Sequence, residues 1–268
     1  MDWGEKDRDG TVVDQAWFCR QVAGTNKLEF LKWAREVKHC EWDEKTITVA
    51  AAIGNLEMLK YCFSNECPCD EEMSCKIAAI GGHLDCVRFV FGKVQPSRET
   101  EKVAAIQAAA FKANLEILKY CFSNGCPCEE KEACTQAAAG GHLDCLRFLV
   151  DKVQPSRGTE MQAAGEAACG GHVEILKYFV EERKMIEEVG KFTLVSGAAK
   201  YGQIDCLKYL IEEAKVPPHA WHVAHARYYE HPDCVNYLLE KGSPEPTDED
   251  YARFVRRVQS KSGQQSGD

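Results

Sequence analysis

The sequence predicts an all-α solenoid of about eight helix–turn–helix units, closed at the C-terminal side by one amphipathic helix. The main observation is a six-residue motif, here called the phrase, that recurs eight times at intervals of 28 to 31 residues. It reads aliphatic, acid, any residue, aliphatic, base and aromatic, as in Leu56–Tyr61. A pair of small residues and a glycine turn precede most copies. A period of roughly 20 to 50 residues is typical of repeat proteins, in which each unit buries its apolar face against its neighbours.

The phrase is expected to open the second helix of each unit. Its two aliphatic positions are three residues apart and define a core-facing stripe, while the acid and the base can pair on the outer face. Pro232 and Asn236 make the last copy degenerate, since they replace an aliphatic residue and the base. The eight copies begin at Leu28, Leu56, Leu84, Leu115, Leu143, Val173, Ile204 and Pro232.

A small-residue pair and a tight turn are expected to form the end of each first helix. Ala50 and Ala51 are such a pair, and alanine both favours the helix and lets a neighbouring helix approach closely. Gly81, Gly82 and His83 are such a turn, and glycine permits the left-handed backbone that ends a helix abruptly. Each unit is therefore predicted to be two antiparallel helices.

The two ends of the chain differ from the repeats. Residues 1–12 form a charged N-terminal segment without the apolar run of a secretory signal. The repeat array is predicted over 13–242 and the closing helix over 243–261, with Thr247 as its N-cap. The apolar stripe of that helix would be Tyr251, Phe254, Val255 and Val258. Residues 262–268 are expected to be disordered.

Composition limits the function classes. No stretch approaches the ~20 apolar residues that a membrane span needs. The net charge of −9 argues against nucleic-acid binding, which depends on basic residues that neutralise phosphates. Fifteen cysteines in a chain without a secretory signal predict reduced thiols. We therefore expect a non-secreted protein of the cytoplasm or nucleus, with no membrane or nucleic-acid partner.

The pattern Ala-Ala-x-x-Gly-His-Leu-Asp/Glu, followed by an aliphatic helix, resembles the ankyrin repeat from about Val13 to Leu239. Within that family the chain is similar to degenerate arrays with Gly-Cys-Pro-Trp-Asp loops, which are abundant in brown algae and large DNA viruses. The corresponding loops here are 39–43, 65–70 and 124–129. The resemblance implies an ankyrin-type solenoid.

Two features depart from the family pattern. The tetrapeptide Thr-Pro-Leu-His is missing from every unit, and the 28-residue units are about five residues shorter than the usual ~33. Because the two predicted helices keep their length, the missing residues are expected to come from the β-hairpin finger between units.

The resemblance implies a non-enzymatic protein–protein interaction scaffold or adaptor that binds a protein partner through its concave face and inter-repeat loops. The sequence carries no nucleophile elbow, phosphate-binding loop, His-Glu-x-x-His or dinucleotide motif, so we expect no catalytic residue and no cofactor. We also expect a monomer. The predicted contact residues are Glu71, Glu72, Gln95, Arg98, Glu130, Lys131, Gln154, Arg157, Trp221 and His222.

A cysteine-based metal-binding or redox-sensing protein on the same solenoid is the alternative. Four thiolates can hold zinc, and a Cys-Pro-Cys pair can sense oxidants. The closest cysteines are Cys-x-Cys, however, and Cys75 takes the apolar position that Ile47 fills elsewhere, as buried thiols often do. The two clusters are Cys62, Cys67, Cys69 and Cys75, and Cys121, Cys126, Cys128 and Cys134.

Histidines give a weaker metal signal. His219, His222 and His225 recur at three-residue spacing, but no carboxylate on the same helix completes a site. A surface strip of these histidines with Trp221, Tyr228 and Tyr229 is the preferred interpretation. The turn histidines are expected to brace the loops, and they are His83, His142 and His172.

Overall fold

The computed structural model describes residues 14–93, 106, 107, 109–126, 128–184 and 188–264. The described residues are all helix, turn and loop, with no β-strand among them. They form two compact units, with the border between Glu129 and Glu130. No helix in the described part is long and apolar enough to span a membrane. The predicted N-terminal segment 1–12 lies outside the described residues.

Unit 1 contains the first four copies of the phrase. The second helices begin with the phrase, as predicted, and helical residues at 106, 107 and 109–111 precede the fourth. The first helices are Gln15–Gly24, Glu44–Ala52 and Glu71–Gly81. The second helices are Leu28–Lys32, Leu56–Ser64, Leu84–Lys93 and Leu115–Ser123. A π-helical turn over Trp33–Val37 continues the first of these second helices.

Unit 2 contains the last four copies and the closing helix. Its first helices are Glu130–Ala139, Arg157–Gly170, Glu188–Lys200 and Ala220–Tyr228. Its second helices are Leu143–Val153, Val173–Lys177 continued by a π-helical turn over Tyr178–Glu182, Ile204–Lys208 continued by Tyr209–Glu213, and Pro232–Glu240. The closing helix is Asp248–Gln264.

Short polar side chains begin several first helices. The Asp70 carboxylate accepts a hydrogen bond from the Met73 backbone N–H at 2.9 Å, and the Ser156 hydroxyl accepts one from Thr159 at 3.2 Å. Such a cap satisfies a backbone N–H that the helix itself leaves unpaired, and is worth about 1 kcal/mol. The cap residues follow the inter-repeat loops, so each loop fixes where the next first helix begins.

A left-handed residue ends the first helix of every repeat. Glycine takes this position in five repeats, such as Gly54 with φ +71°, but Asn26, Ala113 and Glu230 take it in the others. The second helices whose ends are described finish in the same way, often without glycine, as at Gln154 with φ +46°. The tight turn that the glycines predict is therefore present even where the sequence has no glycine.

Each unit has a core that neighbouring hairpins build together. In unit 1 the Glu44–Ala52 helix packs against both flanking first helices, and in unit 2 successive first helices pack in the same way. Ala50 and Ala51 are fully buried, as are Met58 and Leu59 from the second helix. Burial of one such large side chain contributes about 1.5–3 kcal/mol. The alanine pairs thus lie where the first helices approach each other.

Within each unit, turn side chains connect a hairpin to the one before it. In unit 1 the His83 ring nitrogen Nε2 lies 3.0 Å from the Ala52 carbonyl oxygen, at the end of the preceding first helix. In unit 2 His172 Nε2 lies 2.8 Å from the Ala139 oxygen. The predicted bracing role is confirmed for these two histidines. Gln203 and His231 make the corresponding bond in unit 2, and in unit 1 the Asn114 amide donates to the Ala79 oxygen, one residue earlier in the repeat.

The second helices carry a further set of polar contacts. The acid and base of the phrase pair within one helix, as Lys60 and Glu57 do at 2.7 Å. Tyr61, Tyr209 and Tyr237 each donate a hydrogen bond to an acid of the preceding repeat, Tyr61 to Glu36 at 3.0 Å. Exposed ion pairs contribute little energy, whereas the tyrosine bonds link adjacent hairpins.

The closing helix covers the last repeat. It begins at Asp248 after the predicted cap, since the Thr247 hydroxyl accepts a hydrogen bond from the Asp250 N–H at 3.1 Å. Phe254 is buried, and the other residues of the predicted stripe are half-buried. The helix reaches Gln264, so the expectation of disorder was wrong for residues 262–264. Residues 265–268 lie outside the described part.

Candidate functional site: the exposed face of the first helices

Four predicted contact residues lie in the first turns of two first helices. In unit 1, Glu72 is exposed and Glu71 is half-buried. In unit 2, Lys131 is exposed and Glu130 is half-buried. Acidic residues at a helix N-terminus interact favourably with the helix dipole. The three acids therefore stabilise their own helices whether or not a partner is bound.

Two further predicted residues lie in the linker before the Arg157–Gly170 helix. Gln154 is exposed and has a left-handed backbone, and Arg157 is the exposed first residue of the helix. The linker thus presents two long polar side chains at one helix start. Gln95 and Arg98, their equivalents in unit 1, lie outside the described residues.

His222 corrects the expected surface histidine strip. Its side chain is 0 % exposed, and its ring centroid lies 4.5 Å from that of Phe192. The reason is its position in the repeat, four residues before a buried small residue. Thr46 and Ser74 hold the same position in unit 1, and both are fully buried. His222 is therefore a core residue of unit 2 and not part of a surface strip. Comparing these repeat positions in the sequence would have shown this.

Burial keeps two of the three histidines neutral. It lowers the pKa of His222 to about 3, with further contributions from the nearby His219 and His225, while a polar contact with the Phe192 backbone opposes the shift. Burial also lowers the pKa of His225 to about 4, with Lys200 adding to the effect. Neither ring nitrogen of His222 makes a hydrogen bond of normal geometry to a described residue.

Trp221 lies beside the closing helix. It is half-buried, and its ring meets that of Phe254 edge-on with centroids 5.6 Å apart. The Arg257 guanidinium lies 5.7 Å from the Trp221 ring. Trp221 and Phe254 border a groove of about 320 Å³ that Pro246 and Asp250 also line. Trp221 therefore helps the closing helix to pack and leaves part of its ring accessible.

Glu160 occupies the repeat position of Glu71 and Glu130, but its environment is different. It is 1 % exposed, and its Oε1 atom accepts two hydrogen bonds from Arg183, from Nε at 3.0 Å and from Nη2 at 2.7 Å. Its Oε2 atom is buried without a described partner. A buried carboxylate requires such a counter-charge. The acid at this repeat position thus lies at the surface in two repeats and forms an internal ion pair in a third.

The first helices of unit 1 also expose an apolar strip, which the sequence reasoning missed. Met73, Ile77 and Ile80 follow each other at helical spacing, and Met73 is 43 % exposed. On the neighbouring first helix, which packs against this one, Val49 and Ala52 hold the positions of Ile77 and Ile80, and the exposed Lys45 holds that of Met73. We call the five residues Met73, Ile77, Ile80, Val49 and Ala52 the first-helix strip. The signal was available, because they lie at fixed distances from the alanine pairs.

The same repeat positions in unit 2 are mostly polar. The face that is apolar in unit 1 therefore changes character from repeat to repeat, while the buried alanine pairs stay nearly constant. The residues at these positions are Glu132, Gln136 and Ala139, then Gln162, Glu166 and Cys169, then Thr193, Gly197 and Lys200, and finally Trp221, His225 and Tyr228.

The cysteines are distributed through the packing of the repeats. Cys75 is buried in a first helix, and Cys69 hydrogen-bonds with the Ser74 hydroxyl at 3.7 Å. Cys62 and Cys67 share a hydrogen bond, and this bond and burial raise the pKa of Cys67. Within the described ranges no three or more His, Cys, Asp or Glu side chains are arranged to hold a metal ion. Burial raises the pKa of Cys69 to about 11, so little of this thiol is ionised near neutral pH.

Comparison with known proteins agrees with the helical hairpins. The family model described as ankyrin repeats matches the chain in three overlapping copies, over residues 105–187, 136–220 and 165–250. A search of curated proteins finds no match. The three copies together span more than half of the chain. On this match and on the paired helices of both units, the chain belongs to the ankyrin repeat family.

Proposed function

We propose that this protein is a non-catalytic scaffold that binds a protein partner through the exposed face of its first helices. The observation that carries the proposal is the first-helix strip, in which five mainly apolar residues lie side by side and partly open to solvent. Contiguous exposed apolar surface in a folded protein often marks an interaction site. Ankyrin repeats typically mediate protein–protein interactions.

The variation among repeats supports the same proposal. In a stacked array the residues between helices must fit their neighbours, whereas the exposed face of the first helices is free to vary. Glu71 and Glu72 stand at the N-terminal end of the strip, where they would favour basic side chains of a partner. Glu130, Lys131, Gln154, Arg157 and Trp221 are proposed contacts in unit 2.

We also infer that the array is of the short-repeat type with Gly-Cys-Pro-Trp-Asp-like loops. The short connections and the lack of strands among the described residues support this inference. We propose a reducing compartment, since the cysteines carry thiols in the structure and most of them are buried. We also propose that the protein is a monomer.

Affinity capture with the full chain from an extract of its native organism tests the proposal. Met73→Glu places a charge in the strip, and Val37→Glu places one at another exposed apolar residue of unit 1. We expect at least one protein that is captured by the wild type and by the Val37→Glu variant but not by the Met73→Glu variant. If the Met73 variant is folded and captures the same proteins in the same amounts, the strip is not the binding surface.

A further inference from the structure

The first repeat of unit 1 exposes two aromatic side chains, at positions that are buried or half-buried in the other repeats. Phe30 is 51 % exposed and Trp33 is 44 % exposed. Phe30 holds the third position of the six-residue phrase. The residues at that position in the seven other copies are at most 2 % exposed, and they are Met58, Cys86, Ile117, Cys145, Ile175, Cys206 and Cys234.

Together with the Gln15–Gly24 helix, these side chains form a groove. Phe18, Val22, Phe30 and Trp33 line it, and its volume is about 440 Å³. We call it the N-terminal groove. The residue that corresponds to Phe18 in the second repeat is fully buried. The groove is therefore the surface that a preceding hairpin covers in the later repeats.

The rim of the groove is positively charged. The Lys27 ammonium lies 5.1 Å from the centre of the Phe30 ring, and the Lys38 ammonium lies 5.4 Å from that of Trp33. Neither ammonium is ion-paired with a carboxylate of the described residues. A segment with apolar side chains and an excess of acids fits this arrangement.

We propose that residues 1–13 of this chain occupy the N-terminal groove. They contain Trp3, Val12 and Val13, and their four acids outnumber their two bases. They directly precede Asp14, the cap of the helix that carries Phe18 one turn later. A tethered segment has an effective concentration of roughly millimolar, so even a weak complex would form. The inference does not depend on the proposed partner.

This occupant completes the first repeat. Trp3 or the two valines would cover Phe30 and Trp33, and the acids would meet Lys27 and Lys38. The covered groove would no longer offer an apolar surface to a second copy of the chain. The first-helix strip remains available for a partner.

Photo-crosslinking in the full chain tests this inference. The photoreactive residue benzoylphenylalanine replaces Phe30, and in a second variant Trp33, so that one unstable variant does not decide the outcome. The control places it at Phe111, another exposed aromatic residue of unit 1. We expect crosslinks from positions 30 and 33 to residues 1–13, and none to that segment from position 111.

Mixed samples of ¹⁵N-labelled and unlabelled protein separate the possible sources of a crosslink. Crosslinks within one isotopic species support the proposal, while mixed-isotope crosslinks would mean that a second copy occupies the groove and would overturn it. An absence of crosslinks from both positions would overturn it too. Lys27→Glu with Lys38→Glu should lower the yield roughly fivefold, whereas Lys60→Glu on a following second helix should not. An equal yield in both would refute the role of the rim charges.

Discussion

Arg183 supplies the counter-charge of the buried Glu160 carboxylate. Arg183→Ala leaves a buried carboxylate without a counter-charge, and we expect a loss of about 2–3 kcal/mol in the free energy of unfolding, after allowing for the partial exposure of the guanidinium. Arg147→Ala removes an arginine from the exposed pair with Glu182 and should cost much less. Urea denaturation measures both. Equal losses in the two variants would show that burial does not govern the Glu160 pair.

His222 makes the stability of unit 2 sensitive to acid. Its pKa is about 3 in the folded protein and near 6.5 when unfolded, so the unfolded state binds more protons below pH 6.5. The contribution of the buried neutral His222 to the free energy of unfolding is therefore fully present above pH 6.5 and is lost as the pH falls toward 3. At pH 5 this group should lower the free energy of unfolding of the wild type by on the order of 2 kcal/mol, and the His222→Leu variant should not show this decrease.

The leucine suits this site, because Leu194 fills the same position in the preceding repeat. His39→Asn, at an exposed histidine, is the matched control and should keep the acid sensitivity. Denaturation at pH 7 and pH 5 checks both variants. If His222→Leu and the wild type lose stability in parallel, the buried histidine is not the acid-sensitive group.

Single residues show what the sequence could predict of the site. Glu72 and Lys131 were placed on the surface correctly, because charged residues in a first turn are usually exposed. His222 was misplaced because its side chain is polar, while its repeat position is buried. Glu160 was missed because the residue that neutralises it, Arg183, follows the second helix of the same hairpin, 23 residues along the chain, and no local pattern brings the two together.

At the scale of the helix and its turn, a close contact explains why glycine is needed. At Gly54, φ is +71° and an added Cβ would lie 2.3 Å from the His83 ring. At Gly125, φ is +65° and nothing lies within 4 Å. Both alanine variants suffer the strain of a left-handed backbone, about 1–2 kcal/mol. Gly54→Ala must also displace His83 from the Ala52 carbonyl, which adds about 1 kcal/mol.

Urea denaturation of Gly54→Ala and Gly125→Ala measures that difference directly. We expect the Gly54 variant to be the less stable of the two, and the double variant Gly54→Ala with His83→Ala to recover part of the gap. Equal stability of the two single variants would mean that the histidine contact adds nothing to the turn.

The helices themselves were predictable, but some of their ends were not. Repetition of the phrase fixed the start of the second helices to the residue, since the turn before it is nearly constant. Their C-terminal ends were not visible in the sequence, because Glu66 and Gln154 take a left-handed backbone that glycine usually signals. The first-helix strip was missed for a similar reason, since it spans two helices and neither alone has an unusual apolar pattern.

For the whole molecule, the fifteen thiols distinguish a scaffold from a metal or redox protein. Titration of denatured protein purified under reducing conditions should find fifteen thiols, and metal analysis of the native protein should find no zinc. Burial of the thiols makes slow reaction in the native state the expected result. About two zinc ions per chain, lost on mutation of Cys67 and Cys126, would establish the cysteine-based alternative.

Hydrogen exchange of the full chain with and without its captured partner tests the central claim, that the partner binds the exposed face of the first helices. The account predicts slower exchange on binding in peptides that cover Glu44–Ala52 and Glu71–Gly81. Peptides from the second helices Leu56–Ser64 and Leu84–Lys93 should change little. Protection confined to those second helices would contradict the account.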